Sequence, residues 1–207
     1  MILKAKHNRL FLYFSNRYAV WKIKKHFDSI KIIGEFNEKN RPVLLISNHI
    51  SWWDGLWAIY LNFKIIERKF HFMMLEEQLR KFWFFNYIGG YSINPKSKSI
   101  IESLRYTAEL LSNKNNIVLV FPQGEIQSMH NQKIHFEKGI HYILKNIENQ
   151  IQTLFIANFV DYYSKPKPTL NIYIKEVSYK NSGIEEIQNY YNSFYNECVE
   201  KQIQKQD

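Results

Sequence analysis

The sequence predicts an α/β fold: a single domain with a largely parallel central sheet flanked by helices. Three observations lead there. Residues 43–47 and 117–121 are apolar almost throughout, as strands covered on both faces are. Strand-like and helix-like segments alternate, which favours parallel pairing through helical crossovers. The 207 residues hold neither a Gly-, Pro- or Ser-rich linker nor an internal repeat, so one domain over 1–207 is the economical reading.

Residues 8–27 read as a helix with Leu10, Phe14, Tyr18 and Trp21 on one face and Arg9, Arg17, Lys22, Lys24 and Lys25 around it. That face either packs on the domain or lies in a bilayer interface, where basic and aromatic residues are both favoured. Strands are expected over 30–36, 43–47 and 70–75, with helices over 52–62 and 76–85 between and after them. Gly89-Gly90 breaks the pattern, and Tyr91-Ser92-Ile93 reads as a short strand. Ser99 and Glu102 form a candidate capping box before a helix whose face is Ile101, Leu104, Ala108 and Leu111. The strand over 117–121 is stopped by Pro122 and Gly124. A helix over 137–147, strands over 153–160 and 170–178, and a polar helix over 184–204 complete the chain.

With 45% hydrophobic and 23% charged residues, the composition is that of a globular chain and not of a disordered one. The formal charge of +9 favours an anionic partner: a membrane surface, a nucleic acid, an acidic protein or a phosphorylated substrate. The single cysteine, Cys198, excludes an intrachain disulfide framework and a multi-cysteine zinc site, and suits a reducing compartment. It is expected in a surface helix. No stretch approaches the ~20 apolar residues of a membrane span. The basic, aromatic N-terminus has no small-residue cleavage site after an apolar core and does not read as a signal peptide.

Chemistry concentrates at two strand ends. The run Val43-Leu44-Leu45-Ile46-Ser47 ends in Asn48-His49, and Asp54 follows five residues after the histidine. If the chain turns into a helix there, Asp54 can fold back onto the imidazole, fix its tautomer and stabilise the imidazolium formed on proton uptake. Ser51 is placed to cap that helix. The run 117–121 ends in Phe121-Pro122-Gln123-Gly124-Glu125, where Gly124 permits close backbone approach to a ligand. In parallel sheets both loops lie at the carboxyl edge, where ligands bind.

Asn48-His49-x-x-x-x-Asp54, followed about seventy residues later by Phe121-Pro122-x-Gly124, resembles the glycerolipid acyltransferases, the glycerol-3-phosphate and lysophosphatidate acyltransferase-like enzymes. The resemblance runs from about residue 40 to 160. Gly89 to Asn94 stands where the family has a Gly-x-hydrophobic-hydrophobic-x-Asp/Asn-Arg block, and Phe136-Glu137-Lys138-Gly139 where it has Phe-Lys-x-Gly. There are departures. Pro95 occupies the arginine position of the second block, with Lys96 and Lys98 just beyond. The third block, Phe-Pro-Glu-Gly-Thr-Arg-Ser in the family, here has Gln123, Glu125 and Ile126 for Glu, Thr and Arg. The fourth block, Leu154-Phe155-Ile156-Ala157, lacks the family's proline. The missing arginines are those the family uses to hold an acceptor phosphate, a task for which neither Ile nor Pro can substitute.

The resemblance implies an O-acyltransferase with His49 and Asp54 as catalytic residues. Asn48, Gly90, Asn94, Phe121, Pro122, Gln123, Gly124 and Glu125 would bind substrate. His49 would take a proton from an acceptor hydroxyl, whose oxygen attacks a thioester, with backbone N–H groups near Gly124 receiving the oxyanion. No metal or other cofactor is expected. Acyl-CoA or acyl carrier protein is the donor substrate and a lipid the acceptor, a lysophospholipid, amino lipid, glycolipid or isoprenoid alcohol. A peripheral position on the cytoplasmic face of a membrane is expected. Two other readings stand beside this one: a non-catalytic lipid-surface protein of the same fold, and a nucleic-acid-binding protein. Nucleic acid is the less favoured partner, because no helix-turn-helix, RNA-recognition or zinc module is recognisable.

Overall fold

The N-terminal helix packs on the sheet by its small, aliphatic side and turns its aromatic side outward. In a computed structural model describing residues 1–178 and 183–205, helix α1 spans Arg9–His26 and is capped by the Asn8 side chain, which accepts from the N–H groups of Leu10 and Phe11. It buries Ala19 and Ile23, with Phe11 and Leu12 packed beside them. Leu10, Phe14, Tyr18 and Trp21 face outward instead. Residues 179–182 and 206–207, included in the expected 1–207 domain, lie outside the described residues.

Seven strands form one sheet: β1 (Ser29–Ile33), β2 (Val43–Ser47), β3 (Lys69–Leu75), β4 (Gly90–Ile93), β5 (Asn116–Val120), β6 (Gln152–Asp161) and β7 (Thr169–Val177), in the order β1-β7-β6-β2-β5-β3-β4. Every neighbouring pair is parallel except β6 with β7. The sheet is thus mostly parallel, with β1 and β7 reversed relative to the rest. β2 and β5 sit centrally with every residue buried, which is why their sequences show no alternation. Two hydrophobic clusters cover the two faces. One joins α2 (Asp54–Leu61) and α1 to the sheet; the other joins α4 (Ile100–Leu110), α5 (Lys138–Lys145) and α6 (Ile184–Ile203).

Several boundaries moved for local reasons. β1 stops at Ile33 because Gly34 turns with φ +114°, where a side chain would meet the Ile174 carbonyl. The helix expected over 76–85 ends at Lys81 (α3, Glu76–Lys81), because Phe82 leaves helical geometry; a 3-10 segment, Trp83–Tyr87, follows. α2 runs on into a π-type turn, Asn62–Ile66, ended by Glu67 in the left-handed region. The Ser99 capping box does not form: Ser99 is itself helical and caps nothing, while Glu102 lies near the chain's first residues. On α4 the packed face is Leu104, Ala108 and Leu111, with Ile101 exposed. α6 is polar only outside. Its inner face carries Ile187, Tyr191, Phe194, Tyr195 and Cys198, so within this surface helix the thiol points inward, buried and pushed up to about 12 by desolvation.

Among the described residues no helix is long and apolar enough to cross a membrane.

Candidate active site

Ile46 of β2 pairs with Val120 of β5, so the two chain segments leave the sheet side by side at its carboxyl edge. His49 and Phe121 emerge from these two ends and stack, 4.0 Å between ring centroids and 9° between planes. The turn after β2 folds around one carboxylate oxygen. Asp54 Oδ2 accepts from His49 Nδ1 at 2.7 Å, from the Ile50 N–H at 2.7 Å and from the Ser51 N–H at 2.9 Å. Ser51 also receives the Trp53 N–H on its hydroxyl, which helps start α2.

Asp54 is 1% exposed, and its other oxygen, Oδ1, is buried without a partner among the described residues. Burial therefore raises the carboxyl above its ordinary value, against the opposing pull of its three hydrogen bonds. The imidazole is partly open, with 22% of its side chain exposed. With Nδ1–H donated to Asp54, the Nε2 lone pair is left free to take a proton.

Gln123 joins the two loops. It is buried, its Oε1 accepts the His49 N–H at 2.6 Å, and its Nε2 donates to Gln127 Oε1 at 2.9 Å. The Gln127 N–H donates to the His49 carbonyl at 2.9 Å, and Gln127 Nε2 donates to Glu125 Oε1 at 3.2 Å. Both peptide groups of His49 are thus tied to the second loop. Asn48 is fully buried and forms a two-point bridge with the backbone of Asn158 in β6, donating to its carbonyl and accepting its N–H. Asn48 and Gln123 hold the imidazole's backbone; neither side chain is open to a substrate.

The remaining residues fall in three groups. Pro122 is buried and its carbonyl accepts the Glu137 N–H. Gly124, at φ +72°, is exposed, but its N–H closes the turn onto the Phe121 carbonyl. Next along the chain, the N–H groups of the exposed Glu125 and Ile126 make no hydrogen bond among the described residues, which leaves them as candidate oxyanion donors near Gly124. Gly90 and Asn94 lie on and just past β4, three strands from β2, roughly 14 Å away at ordinary strand spacing. Gly90 is buried against the Phe85 carbonyl, and Asn94 accepts the Lys96 N–H. Asn94 shares the carboxyl edge with His49 without touching it, whereas Gly90, at the start of β4, lies level with Leu119 inside the sheet.

Gln127 and Asn158 escaped the sequence reading. Asn158 had a signal: an amide inside an otherwise apolar strand needs a partner. Gln127 had none, because its role depends on loop geometry. A cavity of about 130 Å³ opens at the opposite, amino edge, lined by His7, Leu12, Asn62, Arg68, Phe70 and Ile88. It is remote from His49.

The sequence profile of the family described as Acyltransferase matches residues 29–157, well over half of the chain and including both loops. The chain belongs to this acyltransferase family. It is an acyltransferase. Its fold is similar to that in the crystal structure of the 1-acyl-sn-glycerophosphate (LPA) acyltransferase, PlsC, from Thermotoga maritima. The TM-score is 0.70 at 19% identity, over 95% of this chain and 81% of the other. No curated protein matches in sequence. The family implies an acyl donor and a lipid acceptor.

Proposed function

We propose that this acyltransferase moves a fatty acyl group from acyl-CoA or acyl carrier protein to a hydroxyl of a lipid at a membrane surface. The observation that carries the reading is the 2.7 Å bond from His49 Nδ1 to a buried Asp54, with the imidazole partly exposed at the sheet edge. Nε2 takes the hydroxyl proton as the oxygen bonds to the thioester carbonyl carbon. The N–H groups of Glu125 and Ile126 receive the oxyanion. On collapse the C–S bond breaks, the imidazolium returns the proton to the departing thiolate, and an ester remains. Asp54 stays ionised beside the imidazolium and keeps the ring in one tautomer.

The outer face of α1 supports a peripheral membrane position. Leu10, Tyr13, Phe14, Tyr18 and Trp21 are exposed, Lys25 lies over Trp21 and Arg17 over Tyr13. Such a mixture of aromatic and basic side chains suits a headgroup boundary. The end of α1 abuts the catalytic turn, where Trp53 packs on Phe27 and His26. A lipid held by α1 would therefore lie near His49.

Incubation with an acyl thioester and a panel of hydroxyl-bearing lipids, followed by mass spectrometry, tests the proposal. Ester formation that disappears in His49→Ala supports it; unchanged ester formation in that variant removes His49 from the chemistry.

A further inference from the structure

We infer that the acceptor carries an ammonium, and not a phosphate, beside the hydroxyl that is acylated, and that Glu125 and Glu137 recognise it. This rests on the acyl-transfer reading and names the substrate class of the same site. The catalytic turn, residues 47–55, contains one ionisable group besides His49, the buried Asp54. The second loop, residues 121–128, contains no Lys or Arg, and its one charge is Glu125. Glu125 is exposed and hydrogen-bonded through Gln127 and Gln123 to the backbone of His49, so its carboxylate is held in register with the imidazole.

A second carboxylate converges from another element. The Glu137 N–H is bonded to the Pro122 carbonyl, and its side chain packs against the turn: a β-carbon at Gly124 would lie 3.3 Å from Glu137 Cγ. Two exposed acids therefore flank Gly124. Lys133 and Lys138, the lysines of the same connection, are exposed, and among the described residues neither bonds to this chain of amides. Lys96 and Lys98 follow β4, three strands from β2. A phosphate monoester beside Glu125 and Glu137 would meet like charge, whereas an ammonium would form charge-assisted hydrogen bonds.

The test uses three monoacylglycerols that share one free hydroxyl and differ only at the adjacent oxygen. One bears an aminoacyl ester with a free ammonium, one its N-acetylated counterpart, and one a phosphate. With the intact chain, kcat/KM for the ammonium acceptor should exceed that for the N-acetylated one by about 10-fold, the order expected for a hydrogen bond to a charged group. The phosphate acceptor should be the poorest. In the E125Q/E137Q double variant the ammonium preference should collapse to within about twofold, a change carried mainly in KM. In Glu125→Arg the phosphate acceptor should overtake the ammonium one. A preference for the phosphate in the intact chain, or an ammonium preference kept in the double variant, overturns the inference. Acylation of all three alike sinks it while leaving acyl transfer standing; acylation of none sinks both.

Discussion

The His49 and Phe121 rings lie parallel at 4.0 Å although different strands supply them. Phe121 thereby fixes one face of the imidazole while Asp54 fixes its edge. An aromatic pair of this kind is worth about 0.5–1.5 kcal/mol. Phe121→Ala should lower kcat roughly 10-fold by freeing the ring, and Phe121→Tyr should restore most of it. Thiol release from the acyl donor is the measurement.

Replacing the proposed acid–base pair, His49 and Asp54, should be far more damaging. His49→Ala should cut kcat by ~10²–10⁴, the usual contribution of a positioned general base. Asp54→Asn should fall in the same range, because an amide cannot stabilise the imidazolium. Asp54→Ala should also unfold more readily, since the N–H groups of Ile50 and Ser51 lose their acceptor. Each buried group left unpaired costs about 1–3 kcal/mol. Equal melting temperatures for Asp54→Ala and the unaltered chain would contradict this account of the turn.

Gln123 should behave as a positioning residue. Gln123→Ala removes the acceptor for the His49 N–H, with an expected fall in kcat of roughly 10-fold and little change in KM. Gln123→Glu keeps an acceptor at that point and should recover much of the loss. If KM rises and kcat holds, Gln123 contacts substrate instead.

Acid stability should depend on His71. Its ring is 2% exposed on β3 beside His7, and burial holds it down to about 4 from 6.5. The folded chain keeps this histidine neutral while the unfolded chain protonates it below 6.5, so stability is full above that pH and is lost as pH falls towards 4. At 1.36 kcal/mol per pH unit the loss by pH 4.5 is about 2–3 kcal/mol. Denaturant titrations at pH 7 and 4.5 should show that His71→Phe loses less stability on acidification than the unaltered chain.

Membrane affinity should follow the outer face of α1. Replacing Phe14 and Trp21 by Ser should weaken sedimentation with anionic vesicles by 10-fold or more, and added salt should weaken it further. Because both residues are exposed, the melting temperature should change little.

Element type was readable wherever the pattern was strong. The apolar runs at 43–47 and 117–121 are strands because only a doubly covered sheet gives such runs a place. The α1 face kept two readings because periodicity reports which residues share a side, not what lies against it: Phe14 and Trp21 share a side, and in the fold that side is open. The burial of Cys198 was not legible, because the polar exterior of α6 hides an apolar inner stripe.

The sequence by itself determined that His49 and Asp54 fall within one turn's reach after an apolar strand, and that the cations expected at Pro95 and Ile126 are absent, since spacing and residue type are local properties. Only the tertiary structure decided what surrounds them: Phe121 on the ring, Gln123 and Gln127 on the His49 backbone, Asn158 under Asn48, Glu137 beside Gly124. These contacts join positions far apart in the chain. They exist because parallel pairing brings the ends of β2, β5 and β6 to one edge, and no local pattern encodes that meeting.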